Sequence, residues 1–272
     1  MEEFDVIVIG GGMIGLAFTL ELSRKKNFKI AIIEANECNP KVSSSFHTRV
    51  SAITPSSKDF LSSINVWDDI KRKQGFVATK VWDQNSHGSL NFYAKDEGIE
   101  HLGFIVENDL IQSALYNAID QTKVQVIHAK LNDLIKTDFG YQITLDNGQS
   151  FLCKLVVGAD GPKSKVRSLA GIEVSSNDYQ QKAIIANIVS DKSLESTTWQ
   201  RFLSDSILAL LPLSKNQASI VWSCKAKLAD ELEELDINKF NQSLSEAAEY
   251  RFGNLKLQSS RNIFPLVSRS AK

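Results

Sequence analysis

Apolar residues in this chain fall into short blocks with two distinct periods. Asp5-Val-Ile-Val-Ile9 is a continuous β-branched run, the pattern of a parallel strand buried on both faces. Gly10-Gly-Gly-Met-Ile-Gly15 follows without a gap, and helical spacing then runs from Ile14 to about Lys26, with Arg24, Lys25 and Lys26 at its far end. A second strand, Lys29-Ile-Ala-Ile-Ile33, ends at Glu34. Further on, Val124 to His128, Tyr141 to Leu145 and Ser150 to Val157 alternate or run apolar around Asp146-Asn-Gly148, a hairpin signal. Leu155-Val-Val157 leads through Gly158 and Ala159 into Asp160-Gly161, after which Ser164, Lys165 and Arg167 begin a helix. Ile184 to Val189, Ile207 to Leu211 and Ser219 to Trp222 read as strands, and Leu228 to Leu235 and Ile237 to Tyr250 as helices. Strands alternating with helices point to an α/β fold.

Composition narrows the function classes. With 272 residues the chain exceeds one typical domain of ~150, which predicts two lobes. A formal net charge of -1 gives nucleic acid no electrostatic reason to bind, so no nucleic-acid partner is expected. Cys38, Cys153 and Cys224 are odd in number and in no CxxC pair, which predicts reduced thiols and neither disulfide framework nor zinc site. The histidines never pair at i, i+4, so no metal is expected. An acidic N-terminus and a glycine-interrupted uncharged run, shorter than the ~20 residues a bilayer requires, predict neither signal peptide nor membrane span. The resulting expectation is a cytoplasmic protein.

The glycine turn carries the first chemical signal. Gly10 permits a tight turn, Gly12 lets a pyrophosphate approach the backbone, and Gly15 lets the following helix pack on the strand. The N-terminus of that helix then faces the phosphates with unsatisfied amides. Glu34, 24 positions after Gly10, can accept both hydroxyls of an adenosine ribose and would repel a 2′-phosphate, which leaves FAD or NAD as the resident ligand. At Asp160-Gly161, glycine permits a positive φ and a second close approach to a pyrophosphate, although Asp-Gly is also common in ordinary strand-to-helix turns.

Arg49-Val-Ser-Ala-Ile-Thr54, Leu102-Gly-Phe-Ile-Val-Glu-Asn108 and Gly158-Ala-Asp-Gly-Pro-Lys-Ser-Lys-Val-Arg167 follow in order. So do Gln200-Arg-Phe202, Leu208-Ala-Leu-Leu-Pro-Leu213, Ser219-Ile-Val-Trp222 and Phe264-Pro-Leu266. In this order the chain resembles the class A flavin-dependent aromatic hydroxylases, and within them the ubiquinone-biosynthesis hydroxylase family. The resemblance implies one FAD held by Gly10, Gly12, Gly15, Glu34, Arg49 and Asn108, with Asp160 and Gly161 where FAD and a transiently visiting NADPH or NADH both pass. Read alone, Arg49 is equally a surface cation and Asn108 a helix cap.

It further implies an FAD-binding Rossmann-like lobe of the glutathione-reductase type, residues 1–67 and 104–170, interleaved with a mixed β-sheet substrate lobe, residues 68–103 and 171–272. The expected reaction is hydroxylation of a polyprenylated phenol or quinol by NAD(P)H and O2. The flavin carries the chemistry, so no side-chain acid or base is named. Lipophilic substrate, a ubiquinone-biosynthesis complex and peripheral contact at the inner membrane are the implied partners. Two departures stand out: Ser204-Asp-Ser-Ile207 replaces a Gly-Pro turn, and no Gly-Asp pair of the family's third motif occurs. The second leads us to expect a C-terminally truncated enzyme that holds FAD poorly and is inactive. A halogenase or isoprenoid reductase on the same scaffold, or a non-catalytic subunit, are the competing readings.

Overall fold

The computed structural model describes residues 1–25, 27–36, 40 and 42–271. Lys26, expected at the end of the first helix, and Cys38, expected as a reduced thiol, lie outside the described residues.

Three sheets organise the chain. The first has six strands in the order Val124–His128, Ile30–Glu34, Glu2–Ile9, Ser150–Gly158, Gly140–Leu145, Leu131–Thr137. Its first four strands run parallel, and the last two fold back antiparallel. Glu2–Ile9 occupies the middle because its β-branched run can be covered on both faces. Val6 and Val8 pack with Ile30, Ile32 and the helix residues Leu16 and Leu20, while Ile7 and Ile9 pack with Ala31, Ile33 and Ile143 on the opposite side. Each such side chain contributes about 1.5 to 3 kcal/mol on full burial. The helix Met13–Lys25 lies on one face with the helix Asn108–Asn117 beside it. The hairpin at Asp146-Asn-Gly148 forms as the sequence predicts: Gly148 has a φ of 83° and the Leu145 amide donates to Gln149 O at 2.9 Å.

The second sheet has eight strands. Along its main path they run Leu255–Leu257, Val174–Ser190, Gln217–Lys225, Ser206–Pro212, Thr197–Phe202, Ala78–Asp83 and Ser89–Tyr93, and Asn262–Ala271 also pairs with Val174–Ser190. Ile184, Ile188, Leu208, Leu210 and Ile220 bury one face under Leu232, Phe240 and Leu244 of the helices Ala226–Glu234 and Ile237–Ala247. Thr197–Phe202 pairs in parallel with Ala78–Asp83, so a segment from early in the chain extends this sheet. Val50–Ile53, Gly103–Glu107 and Lys73–Phe76 form a small third sheet. Among the described residues no helix is long and apolar enough to cross a membrane.

Candidate functional site

Close packing of backbone on backbone builds the glycine turn. The Gly10 amide donates to Ile33 O at 2.8 Å and the Ala159 amide to Ile9 O at 2.7 Å, so the ends of three neighbouring strands meet at one point. Gly10 has a φ of 111°, and a Cβ there would stand 2.3 Å from Ala159 O. At Gly15 a Cβ would stand 1.9 Å from Gly10 O. Gly12 differs: a Cβ would meet nothing within 4 Å. Two of the three glycines thus exist for chain-to-chain contact, and the third borders open space. Gln112 Nε2 donates to Gly11 O at 3.0 Å and fixes the turn from the neighbouring helix.

Glu34, at the tip of its strand, reaches back to this turn. Its Oε2 accepts from the Gly11 amide at 2.6 Å, and its Oε1 accepts from the Asn36 amide at 2.9 Å.

Asp160 lies two residues beyond the neighbouring strand Ser150–Gly158; Gly161 takes a φ of 83°, as the Asp-Gly pair predicts, and the turn is held by the Asp160 carboxylate. Its Oδ2 accepts from the Lys165 amide at 2.6 Å and the Val166 amide at 3.1 Å. Ser164 caps the short helix Lys165–Leu169 by accepting from the Arg167 amide at 3.0 Å. The Lys165, Val166 and Arg167 amides at this turn are therefore satisfied within the chain by Asp160 and Ser164. Asp160 Oδ1 is buried with no hydrogen-bond partner among the described residues. An unmet buried acceptor costs about 1 to 3 kcal/mol, which a ligand donor would recover.

Arg49 sits at the end of a loop from Ser43, immediately before the strand Val50–Ile53. Its guanidinium is exposed and has no hydrogen-bond or ion-pair partner among the described residues. Asn108 is the first residue of its helix, with Glu107 at the N-cap position, so it is not the helix cap that its sequence context alone suggests. Its Oδ1 accepts from Ser51 Oγ at 2.7 Å and its amide donates to Arg49 O at 3.0 Å, which ties the helix start to the Arg49 loop.

A cleft of about 780 Å³ brings Gly10, Gly12, Glu34, Arg49, Asp160 and Gly161 to one wall system. Gly15 and Asn108 do not line it. Lys130, Lys163 and Lys165 do; sequence reading gave Lys130 and Lys163 no role there, and placed Lys165 only at the helix start beside the Asp160-Gly161 turn. Four cationic residues, Arg49 and these three lysines, therefore border the cleft with two acidic ones, Glu34 and Asp160, a surplus suited to a diphosphate. The open space at Gly12, the orphaned Asp160 Oδ1, the free Arg49 guanidinium and the Glu34 carboxylate together fit FAD.

Behind the same loop lies a smaller cavity of about 340 Å³, lined by His47, Arg72, Glu107, Asp109 and Asn262 among others. Arg72 gave no signal in sequence, and Glu107 appeared only inside a longer motif. A charged pair separated by 35 residues leaves no local pattern.

The profile of the FAD binding domain family matches residues 3–272. The human mitochondrial ubiquinone biosynthesis monooxygenase COQ6 is 34% identical over 263 residues, covering 90% of this chain and 56% of that protein. The 3-demethoxyubiquinol 3-hydroxylase of Escherichia coli K12 is 30% identical over 276 residues, covering 99% and 70% respectively. The chain thus spans about half the length of the first of these relatives. Among solved structures, p-nitrophenol 4-monooxygenase PnpA of Pseudomonas putida DLL-E4 superposes with a TM-score of 0.74 at 17% identity, over 100% of this chain and 70% of that one. At that identity the likeness establishes the fold.

Proposed function

The chain belongs to the FAD-binding domain family, and from that premise we propose that it hydroxylates the aromatic ring of a polyprenylated phenol or quinol in ubiquinone biosynthesis, using NAD(P)H and O2. One observation carries the reading. The glycine turn at Gly10 and Gly12, Glu34, Arg49 and the Asp160-Gly161 turn, which lie far apart in the sequence, line one cationic cleft of nucleotide size, and the relatives named for that pathway align over 90% or more of the chain.

Bound FAD supplies the redox chemistry that activates oxygen. The chain's own residues bind and orient it. Glu34 accepts the adenosine ribose hydroxyls, the backbone at Gly12 admits the pyrophosphate, and Arg49 with the flanking lysines neutralises it. Asp160 holds its own turn rigid through Lys165 and Val166 and offers Oδ1 to a ligand donor. In this reading residues 1–67 and 104–170 hold the flavin nucleotide, while residues 68–103 and 171–272 supply the sheet against which the ring lies. A lipophilic substrate, a ubiquinone-biosynthesis complex and peripheral contact with a membrane belong to the same proposal. So does either nicotinamide nucleotide as a transient reductant.

The test is product analysis under ¹⁸O2 with NADPH or NADH and a polyprenylated phenol. Incorporation of one labelled oxygen into the ring supports the reading. Halide incorporation, double-bond reduction, or nucleotide oxidation without any altered substrate would replace it.

A further inference from the structure

We infer that the half-buried pair Glu107–Arg72 is a positioning device that aims Arg49 at the flavin nucleotide; the inference rests on the reading that Arg49 binds FAD. Glu107 is 3% exposed and is the one buried carboxylate among the described residues. Its Oε1 accepts from the His47 amide at 2.7 Å and from Arg72 Nη2 at 2.9 Å, and its Oε2 accepts from Arg72 Nε at 3.0 Å. This is the fork geometry in which an Arg–carboxylate contact gains both strength and direction.

What the pair holds is the loop that ends in Arg49. Arg72 Nη1 donates to Ser44 O at 2.8 Å, and its guanidinium lies over the Phe46 ring, 5.3 Å from the centroid. From the other side, Asn187 Nδ2 in the second sheet donates to Phe46 O at 2.8 Å, and Asn262 Nδ2 donates to Thr48 Oγ1 at 2.9 Å. Arg49 O in turn receives the Asn108 amide. Contacts at positions 44, 46, 47, 48 and 49 thus immobilise the loop while the Arg49 guanidinium stays free to meet a ligand.

Two features separate positioning from simple stability. An ion pair with its carboxylate buried is a poor source of stability, because desolvating the charge offsets much of the attraction. An apolar pair could not, however, accept the His47 amide or donate to Ser44 O, and those bonds fix the path of the loop. Glu107 also immediately precedes Asn108, so one carboxylate sets the loop and the helix start together.

The test is a double-mutant cycle on FAD affinity, read in the full chain by quenching of flavin fluorescence on titration. Arg49→Ala and Glu107→Gln are each expected to weaken binding about tenfold, and the double variant by about the same factor as Arg49→Ala alone. Should Glu107→Gln fail to fold, Arg72→Lys keeps a cation beside Glu107 and loses the fork, and the same non-additivity is expected. Multiplied effects, about a hundredfold in the double variant, would overturn the positioning role and leave the reading of Arg49 standing. Wild-type affinity in Arg49→Ala would overturn both. Wild-type affinity in Glu107→Gln would overturn the positioning role alone.

Discussion

Glu34 Oε2 accepts a hydrogen bond from the Gly11 amide at 2.6 Å, joining the tip of the second strand to the glycine turn across 23 residues of sequence. The carboxylate is therefore held in place before any ribose arrives. Replacing Glu34 by Gln keeps the volume and removes the charge, so the proposed bonds to the ribose hydroxyls would lose their charge assistance. FAD affinity is expected to fall by about tenfold or more, given about 1.5 to 3 kcal/mol for a hydrogen bond to a charged group. Titration of apoprotein with FAD measures this, and unchanged affinity would remove Glu34 from the site.

The three turn glycines divide by what a methyl group would meet. Gly10→Ala and Gly15→Ala force a Cβ against backbone oxygens at 2.3 and 1.9 Å and should destabilise the apoprotein by about 3 kcal/mol or more. Gly12→Ala places its methyl in open space and should leave apoprotein stability within about 1 kcal/mol of the parent while weakening FAD. Denaturant melts and FAD titrations on the three variants separate the two effects.

Cys153 and Cys224 are buried free thiols, and burial pushes each up to about 11. The thiolate is the reactive form, so at pH 8 only about a thousandth of either is available even before access is considered. Mass-spectrometric mapping after alkylation should find both unmodified in the native protein and both modified in denaturant. Rapid native labelling of either would contradict the burial.

Asp5 links three parallel strands at the end away from the cleft. Its Oδ1 accepts from Lys154 Nζ at 2.6 Å and its Oδ2 from the Lys29 amide at 2.9 Å. The Lys154 hydrogen bond, then the Lys29 amide, hold its carboxyl below the ordinary 3.8. The folded state therefore takes up this proton less readily than the unfolded chain. The contribution is present above about pH 4 and is lost as pH falls through the lowered folded value. Asp5→Asn should cost no more than about 1 kcal/mol at pH 7, since Lys154 is well exposed. The difference between the two proteins should shrink below pH 4, as urea melts at pH 7 and pH 3 would show.

Sequence alone picked out those parts of the candidate cleft and of the turn behind it whose pattern is local. Gly10 to Gly15, Glu34 and Asp160-Gly161 each declare themselves within a few residues, because a turn needing positive φ or close approach restricts residue type on the spot. Contacts that depend on two distant segments stayed hidden. Glu107 finds Arg72 across 35 residues, and Asn187 finds Phe46 across 141, with nothing in either neighbourhood to announce the partner. Lys130 reaches the cleft only because the strand Val124–His128 lies beside Ile30–Glu34 in the first sheet. The parallel pairing of Thr197–Phe202 with Ala78–Asp83 was equally silent, since strand pattern specifies a face to bury and not the strand that covers its edge.

The most direct measurement is a crystal structure of the protein grown with FAD. The expected result is density along the cleft, with ribose hydroxyls within hydrogen-bonding distance of Glu34, the pyrophosphate over Gly12 and the Arg49 guanidinium on a phosphate oxygen. FAD bound elsewhere, or density in the cleft that leaves Glu34 and Arg49 without ligand contacts, would contradict the assignment.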